Sequence, residues 1–356
     1  MRESSDVRRQ RILGAVQSRG AVRVSDLASE LEVSVITVRR DVEELARAGR
    51  IRRGHGVARS VVPVAETPVP AAQGGAVALV VPERHAYLYE TMHGARAVLE
   101  EAGMRVVLHI APQVTGAERP IVERVLTDDV QGLLIAPRWR TAAAEEADYA
   151  WLARAGVPTV LMERRPRPGS ALHAVDSVCS DHWYGVHLAV GHLVSLGHRR
   201  IVLAARDDSP TARAVRAAFA EIAAARPEID DWTVVLSAPD TGPSPEIGPV
   251  VKLPALMRER GATAALLHGD VEALMLVQQL ADGGLRVPHD CSVVAYDDVV
   301  AAMGSTPLTA VAPPKAEVGR LAAELLLRRL AEGPGRPQRI ELLPELKVRG
   351  STRTIV

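Results

Sequence analysis

One short segment carries side chains that can contact DNA bases and phosphates. Placed at 100° per residue, its apolar residues gather on one side of a helix: Val35, Val38, Val42 and Leu45. The opposite side carries Ile36, Arg40, Glu43 and Arg47, and its flanks carry Thr37 and Arg39. Arginine can donate two hydrogen bonds to guanine, threonine can bind a base or a phosphate, and isoleucine can contact a thymine methyl group. The segment predicts a recognition helix capped by Ser34; the alternative is a solvated face whose arginines pair with Glu43 or Glu44.

The residues around this helix extend the same basic surface. In IRRGHG, glycines separate two short extended pieces, and Arg52, Arg53 and His55 are expected to contact the DNA backbone or the minor groove. Upstream, apolar residues at three- and four-residue steps predict two more helices, the second capped by Ser25. Residues 1–60 hold 13 arginines and 8 acidic residues, a charge of +5, so the other 296 carry −5. A small basic module joined to a larger acidic one is typical of nucleic-acid binding with a separate sensor.

Residues 8–58 resemble the winged helix-turn-helix of DeoR-family bacterial regulators. The most specific part is VSVITVRRDVEEL followed by AGRIRRGHG. The resemblance implies that Ser34, Thr37, Arg39 and Arg40 contact DNA, and it defines a DNA-binding domain at residues 1–58. One departure is Val57, where the family usually continues with a second glycine after His-Gly.

After an Ala/Pro-rich linker at 59–75, short apolar runs alternate with helical stretches to the end of the chain. The runs are 77–81, 106–110, 133–136, 159–162, 201–204, 234–237, 264–267 and 292–296. Such apolar runs indicate strands covered on both faces, and hence parallel sheets with crossover helices. Residues 76–356 are therefore predicted to form an α/β domain with two doubly wound lobes. A ligand is expected between the lobes, beyond the carboxyl ends of the strands.

Side chains suited to a polar ligand lie mostly in the loops that follow these strands. A sugar-type cleft needs flat aromatic faces and charged partners for paired hydroxyl groups. The candidates are Tyr87, Tyr89, Arg138, Trp139, Arg164, Asp181, Trp183, Arg213, Asp270 and Asp297. Alternatives stay open for two of them: Asp297 can cap the end of a strand, and Trp183 can pack beneath a loop.

Residues 76–350 are similar to the effector domain of the LacI/GalR family, which shares its fold with periplasmic sugar-binding proteins. The most specific stretch is CSDHWYGVHLAVGHLVSLGHRRIVLA. The resemblance implies that Asp181, Asp270 and Asp297 occupy ligand-side or hinge-side positions. Two positions depart from the family: its ligand-side asparagine is Gly269 here, and its sugar-gripping arginine is Val215, for which Arg213 or Arg216 can substitute.

Together these features predict a bacterial transcriptional regulator, a repressor of carbohydrate uptake or catabolism genes controlled by a sugar-like effector. The expected partners are inverted-repeat operator DNA, the effector, and further copies of the chain in a homodimer or tetramer. Cys179 and Cys291 stand alone, no nucleophile or phosphate-binding motif is present, and no apolar stretch suits a membrane or a signal peptide. We therefore expect no enzyme activity, cofactor, metal or membrane partner, and a cytoplasmic location. The alternatives are a sugar-binding protein without a DNA role and a regulator that needs its ligand, as an activator or with a corepressor.

Overall fold

The computed structural model describes residues 8–9, 11–12, 15–16, 21–31, 33–47, 51–54, 57–60, 74–83, 86–112, 114–237 and 252–355. Contacts between them define two units, one within residues 1–72 and the other within 73–356. Within the described ranges, no helix combines the length and the apolar character that a membrane crossing requires. Most of the predicted linker, and the whole of 61–73, lies outside the described residues, so the predicted domain boundaries stay a prediction.

The described part of the smaller unit contains helical residues at 8–9, 11–12 and 15–16, then two further helices and a three-stranded antiparallel sheet. Its elements are β1 (Ala21–Arg23), α1 (Val24–Glu30), α2 (Val35–Arg47), β2 (Ile51–Gly54) and β3 (Val57–Ser60). The strands lie in the order β1-β3-β2, so the two predicted extended pieces pair as a wing. Helix α1 begins before Ser25, which is therefore not its N-cap, and β3 continues two residues into the predicted linker.

The core of this unit follows the predicted helical spacing with one exception. Val38, Val42 and Leu45 of α2 are buried against Ile12, Val16 and Leu27. Val35, predicted to be buried with them, is 40% exposed because it begins the helix. The buried face fixes which side of α2 remains exposed to solvent.

The larger unit begins with a lobe built from alternating strands and helices, here called lobe 1. Its elements are β4 (Ala76–Pro82), α3 (Ala86–Glu101), β5 (Arg105–Ala111), α4 (Glu118–Val125), β6 (Val130–Ile135), α5 (Ala142–Leu152), β7 (Thr159–Met162) and β8 (Asp176–Ser180). The chain returns later to add α10 (Lys315–Glu332) and β14 (Arg339–Leu342). The sheet is parallel throughout, in the order β14-β8-β7-β6-β4-β5.

Lobe 2 repeats the same alternation. Its elements are α6 (His182–Ser195), β9 (Arg200–Ala204), α7 (Pro210–Ala225), β10 (Asp231–Val235), α8 (Leu253–Arg260), β11 (Ala264–Leu267), α9 (Asp270–Asp282), β12 (Ser292–Tyr296), β13 (Thr309–Ala312) and β15 (Glu345–Lys347). The strands lie in the order β10-β9-β11-β12-β13-β15, and only β15 is antiparallel to its neighbour. The chain passes between the lobes after β8, after β13 and after β14.

The predicted fold class is confirmed: two doubly wound lobes follow a small winged helix-turn-helix. All seven residues of β4, and all residues of β11 and β12, are buried, as the apolar runs predicted. Strands β8 and β13 and helix α4 were not predicted. In each lobe the carboxyl ends of the parallel strands face the other lobe, where the loops form a cleft.

Candidate functional site

The exposed face of α2 carries the predicted DNA-contacting side chains. Ser34 caps the helix, because its Oγ accepts a hydrogen bond from the Thr37 backbone N–H at 3.1 Å. Ile36 is 79% exposed, and Arg39 and Arg40 are exposed beside it. An exposed isoleucine beside arginines can contact a thymine methyl group.

Arg39 and Arg40 of this face are not paired with the acidic residues of their own helix. Glu44 pairs instead with Arg47, at 3.5 Å, and with Arg9, at 3.6 Å. Within the described part of the chain, neither Arg39 nor Arg40 forms a salt bridge. The alternative of arginines paired within a solvated face is therefore observed for Arg47, whereas the unpaired Arg39 and Arg40 suit a recognition helix.

A buried acidic residue that the sequence analysis missed positions this helix. Asp41 lies on the inner side of α2 and accepts hydrogen bonds from the Nε atoms of Arg8, at 2.6 Å, and Arg9, at 3.3 Å. An ion pair this buried fixes α2 against the preceding helical residues. DNA contacts were also predicted for Arg52, Arg53 and His55. The side chains of the two arginines, and the whole of His55, lie outside the described residues.

The cleft of the larger unit encloses a cavity of about 360 Å³. Lobe 1 lines it with Ala86, Tyr87, Leu88, Arg138, Glu163 and Arg164. Lobe 2 lines it with Arg206, Asp208, Ser209, Thr211, His268, Gly269, Asp270, Val271, Glu272, Asp297 and Val299. The volume lies at the lower end of the ~300–1,000 Å³ typical of ligand pockets. The cavity therefore suits one small molecule contacted from both lobes.

Two cavity residues that directly follow strands have positive φ angles. Glu163 follows β7 with φ of 52°, and Asp297 follows β12 with φ of 98°. Non-glycine residues adopt this region at a cost of about 1–3 kcal/mol, and such strain concentrates at ligand sites. The two strained residues place their carboxyl groups at the same cleft from opposite lobes.

An ion-pair network joins the lobes across the cavity. Asp208 accepts a hydrogen bond from Arg138 of lobe 1, at 3.2 Å, and two from Arg206 of lobe 2, at 2.7 and 3.0 Å. Arg206 also binds Glu272, at 3.2 Å. Burial works to raise the pKa of Asp208, but the two guanidinium groups outweigh it and lower that pKa to about 2. Asp208 is therefore charged at neutral pH and holds both arginines in place.

A second polar cluster, formed by residues of lobe 1, lies on that lobe's side of the cavity. Glu163 accepts hydrogen bonds from the Tyr87 hydroxyl, at 2.7 Å, and from the Ser180 hydroxyl, at 2.9 Å. Burial and the neighbouring Glu163 carboxylate raise the pKa of Tyr87 well above its usual value. The buried Arg164 guanidinium donates to the carbonyl groups of Pro137 and Glu163, and burial lowers its pKa to about 10. These bonds fix the side chains before any ligand arrives.

The two aspartates predicted on the lobe 2 side differ in what they do. The Asp270 Oδ2 atom accepts the backbone N–H groups of Val299, Val300 and Ala301 at 2.5–2.9 Å, so this carboxylate holds the loop after β12. Asp297 contacts Lys315 through its carbonyl oxygen, at 2.6 Å. Burial and the nearby Asp270 carboxylate raise the pKa of Asp297 to about 8. At neutral pH it is mostly an uncharged acid that can both donate and accept.

His268 was not predicted as a site residue. It follows β11, is 7% exposed and packs near Tyr296, with ring centroids 5.8 Å apart. Burial lowers its pKa to about 3, so the ring is uncharged at neutral pH, with one N–H donor and one acceptor nitrogen. The signal that could have found it is its place directly after an apolar run, next to Gly269.

The cavity concentrates buried polar atoms that lack partners. Within the described residues, nine buried side-chain atoms have no hydrogen-bond partner, and five belong to cavity residues. These five are Nε and Nη1 of Arg138, both ring nitrogens of His268, and Oδ1 of Asp297. Leaving such atoms unpaired costs free energy, so their gathering in one cavity indicates a place for a polar ligand.

Five of the ten predicted effector residues line the cavity: Tyr87, Arg138, Arg164, Asp270 and Asp297. The other five lie elsewhere: Tyr89, Trp139, Asp181, Trp183 and Arg213. Trp139 packs into the core of lobe 1, where its indole N–H donates to Asp148 at 2.9 Å. Asp181 caps α6, Tyr89 is 61% exposed, and Trp183 is 43% exposed and stacks on His187.

Arg213 joins the two lobes without lining the cavity. From lobe 2 it donates to the carbonyl groups of Trp139 and Arg140, at 2.9 and 3.0 Å, and to the Glu145 carboxylate, at 3.0 Å. Val215, at the position where the family carries its arginine, is buried in the core of lobe 2.

Two family models match the chain. Residues 8–64 match the DeoR-like helix-turn-helix domain, and residues 190–352 match the periplasmic binding protein-like domain. The chain thus joins these two domains, as both resemblances implied. The PurR transcriptional repressor of Haemophilus influenzae is 32% identical over 207 residues, which are 56% of this chain and 59% of that protein. The arabinose metabolism transcriptional repressor of Halalkalibacterium halodurans is 27% identical over 345 residues, 92% of this chain and 89% of that one.

Solved structures share the fold of the larger unit. A LacI family regulator from Enterococcus faecium with bound ribose is 21% identical, with a TM-score of 0.61, covering 79% of this chain and 100% of that one. A dimeric Lac repressor is also 21% identical, with a TM-score of 0.65, covering 78% and 99%. The two lobes therefore share the fold of these LacI family regulators.

Proposed function

We propose that this chain is a transcriptional repressor that binds operator DNA through α2 and is controlled by a small sugar-like effector in the cleft. The observation that carries the DNA role is the exposed face of α2, where Ile36, Arg39 and Arg40 stand beside a capped N-terminus. This face belongs to a DeoR-like domain. A repressor of this kind acts on chromosomal DNA, so its location would be the cytoplasm.

The effector role is supported by the cleft. The cavity is small, polar and lined from both lobes, and it holds five unpartnered buried atoms. The E. faecium regulator of the same fold was solved with ribose, and the H. halodurans relative is named for arabinose metabolism. These comparisons favour a carbohydrate effector and control of genes for carbohydrate uptake or catabolism.

The mechanism that fits these features is a two-state switch. Two chains associate and place two α2 helices on the half-sites of an inverted repeat. The effector binds one arrangement of the lobes better than the other and so changes the affinity for DNA. A difference of only ~1.4 kcal/mol between the two arrangements shifts that affinity tenfold.

We interpret the chain as a regulator and not as an enzyme. Burial raises the pKa of both Cys179 and Cys291 to about 12, so neither thiol is a nucleophile at neutral pH. Four of the cavity's carboxyl groups, those of Glu163, Asp208, Asp270 and Glu272, are held by hydroxyl groups, arginines or backbone amides. This arrangement suits binding.

Selection of bound DNA from genomic fragments, at about 0.15 M salt, tests the proposal. We expect the wild type to enrich an inverted repeat and the Arg39→Ala/Arg40→Ala variant to lose that enrichment. The loss of each base or phosphate contact weakens binding by about 1–3 kcal/mol. Binding to the recovered site is then measured by fluorescence anisotropy.

The matched control is Arg96→Ala/Arg119→Ala, which removes two exposed arginines of the larger unit from helix-surface ion pairs. It should bind the recovered site as the wild type does. Equal binding by the Arg39/Arg40 variant would disprove the role of α2. If neither protein enriches a sequence, the selection is repeated with a sugar mixture, which separates a corepressor-dependent regulator from a protein without a DNA role.

A further inference from the structure

Resting on the proposed function, we infer that Lys315 is a positioning residue of the effector site: from outside the cavity, its buried ammonium group holds Asp297 of lobe 2 and Tyr87 of lobe 1 in place. Asp297 and Tyr87 line the cavity, whereas Lys315 does not. The Lys315 side chain is 4% exposed. It lies where the chain passes from β13 of lobe 2 to α10 of lobe 1, so one charge connects cavity residues of both lobes.

The backbone of Lys315 is fixed to lobe 1. The residue begins α10, and its N–H donates to the carbonyl group of Pro313 at 2.9 Å. The next residue, Ala316, lies so close to α3 that a Cβ atom on Gly94 would overlap its carbonyl oxygen. Because α3 belongs to lobe 1, this contact holds the start of α10, and with it the Lys315 backbone, against that lobe.

The side chain of Lys315 reaches back to lobe 2. Its Nζ atom donates a hydrogen bond to the carbonyl oxygen of Asp297 at 2.6 Å. Asp297 has a strained backbone, with φ of 98°, and its N–H donates to Val311 of β13 at 3.0 Å. Strain of this kind persists only where the surroundings hold the residue. The Asp297 backbone is therefore held by its own lobe through β13 and by the other lobe through Lys315.

The same ammonium group holds the Tyr87 ring. The Lys315 Nζ atom lies 5.5 Å from the centre of that ring, which is within the range of a cation–π interaction. The Tyr87 hydroxyl donates to the Glu163 carboxylate at 2.7 Å. A displaced ring would therefore also misplace the hydroxyl group and the carboxylate that it binds.

Burial of the Lys315 charge makes these contacts necessary. A buried ammonium group is costly unless its donors find partners. Among the described residues, the third partner of Lys315 is the exposed Glu90 carboxylate of α3, at 3.8 Å. Glu90 and Tyr87 belong to lobe 1, and Asp297 belongs to lobe 2. A change in the angle between the lobes therefore alters the surroundings of a buried charge.

The use of lysine at this position is itself unusual in this chain. Of its 43 lysine and arginine residues, three are lysines: Lys252, Lys315 and Lys347. Lys252 and Lys347 are exposed, so Lys315 is the buried one. A compact ammonium group can meet a carbonyl oxygen and a ring face together, whereas a guanidinium group is larger and directs its donors within one plane.

The first test follows Asp297 by carboxyl ¹³C NMR of the folded full-length chain, without effector or DNA. The positive charge of Lys315 lowers the pKa of Asp297, but burial and the facing carboxylates raise it to about 8. Those carboxylates are Asp270, Glu163 and Glu272; the facing hydroxyl groups of Tyr87 and Tyr296 have raised pKa values and stay uncharged. Lys315→Met removes the charge and keeps an unbranched side chain. We expect it to raise the pKa of Asp297 by about one pH unit or more.

The second test follows Tyr87 in the same samples. Its ¹³Cζ signal, assigned with Tyr87→Phe, should shift in Lys315→Met. Lys315→Arg keeps a positive charge and a donor, so it should restore most of the wild-type behaviour of Asp297 and part of that of Tyr87. Lys252→Met, at an exposed position without a side-chain cap bond, is the matched control and should leave both signals unchanged. A lysine that only stabilised the fold would change the free energy of unfolding and neither signal.

The consequence for binding is measured by calorimetry with D-ribose and L-arabinose. For either sugar that binds the wild type, Lys315→Met should weaken the Kd about 10-fold or more, and Lys315→Arg should weaken it less. Lys252→Met should leave it unchanged.

An unmoved Asp297 pKa or Tyr87 signal in Lys315→Met would overturn the inference, as would an unchanged Kd for a sugar that binds. If neither sugar binds, the NMR measurements decide, because they need no effector. The two proposals also fail separately. Unmoved signals refute the role of Lys315 alone, whereas a wild type that enriches no DNA sequence, with or without sugars, refutes the repressor alone.

Discussion

Asp297 and His268 are buried titratable groups of the cleft that shift the pH dependence of folding in opposite directions. Burial raises the pKa of Asp297 to about 8, so between about pH 4 and 8 the folded state binds a proton that the unfolded state releases. Its contribution to stability therefore falls as pH rises through that window. Burial lowers the pKa of His268 to about 3, so acidification below about pH 6.5 protonates only the unfolded state and reduces stability.

We predict that Asp297→Asn changes the pH dependence above pH 6.5, where only Asp297 of this pair titrates. The free energy of unfolding of the wild type should fall relative to the variant by at most ~1.4 kcal/mol per pH unit up to pH 8. Urea unfolding between pH 5 and 9, without effector, measures this difference. Asp128→Asn, an exposed position, is the control and should show no such trend. A constant difference between wild type and Asp297→Asn would contradict the raised pKa.

The sequence predicted some cavity residues and misplaced others for local reasons. Arg138 and Asp297 follow strands, and the carboxyl end of a parallel strand places such residues in the cleft. Trp139 is adjacent to Arg138, but it has a positive φ of 40°, and its ring enters the lobe 1 core against Tyr149. Asp181 follows β8 too, yet α6 begins directly after it and uses its carboxylate as a cap. Whether a residue that follows a strand reaches the cleft therefore depends on its backbone conformation and on the element that begins after it.

At the scale of elements, the packing of α3 against α10 depends on two glycines. A Cβ atom on Gly94 would overlap the carbonyl oxygen of Ala316, and one on Gly319 would overlap the carbonyl oxygen of Thr91. The two helix backbones can approach this closely only because neither position has a side chain. Helix α10 also packs against β6, β7 and β8, so this contact ties the returning chain to lobe 1.

We predict that Gly319→Ala destabilises the larger unit by about 1–3 kcal/mol or more, because the helices must separate to admit the methyl group. Chemical denaturation followed by circular dichroism measures the change. The matched control is Gly191→Ala in α6, where the nearest atom to the added Cβ is Arg226 Nη2 at 3.6 Å. That substitution should stabilise by roughly 0.5–1 kcal/mol through helix propensity. Equal effects of the two substitutions would refute the close helix contact.

Strand β8 illustrates why one central element escaped the sequence analysis. Its residues DSVCS are mostly polar or small, yet all five are buried. Asp176 is accommodated because Arg329 of α10 donates to both of its carboxylate oxygens, at 2.7 and 3.0 Å. The Arg329 guanidinium offsets the cost of burying the Asp176 charge. Because Arg329 lies 153 residues away in the sequence, no local apolar pattern can reveal that this strand is buried. The apolar strands β7, β11 and β12, which need no such partner, were predicted with their observed bounds.

At the scale of the larger unit, polar contacts between side chains and backbone groups hold the two lobes together. Arg138 reaches from lobe 1 to Asp208, and Arg213 reaches from lobe 2 to Glu145 and to two carbonyl groups. These bonds exist only while the lobes are this close. They therefore contribute to the free-energy difference between closed and open lobes, the quantity through which an effector acts.

We predict that Arg213→Ala shifts the lobes toward the open arrangement without entering the cavity. Its side chain is 27% exposed, so the three lost hydrogen bonds are partly replaced by water, and we expect a roughly 10-fold weaker effector affinity. Small-angle scattering should show a larger radius of gyration without effector and the wild-type value at saturation. Arg260→Ala, which breaks a pair with Asp231 inside lobe 2, is the control and should change neither quantity. Unchanged affinity and radius in Arg213→Ala would mean that the cavity residues alone set the closure equilibrium.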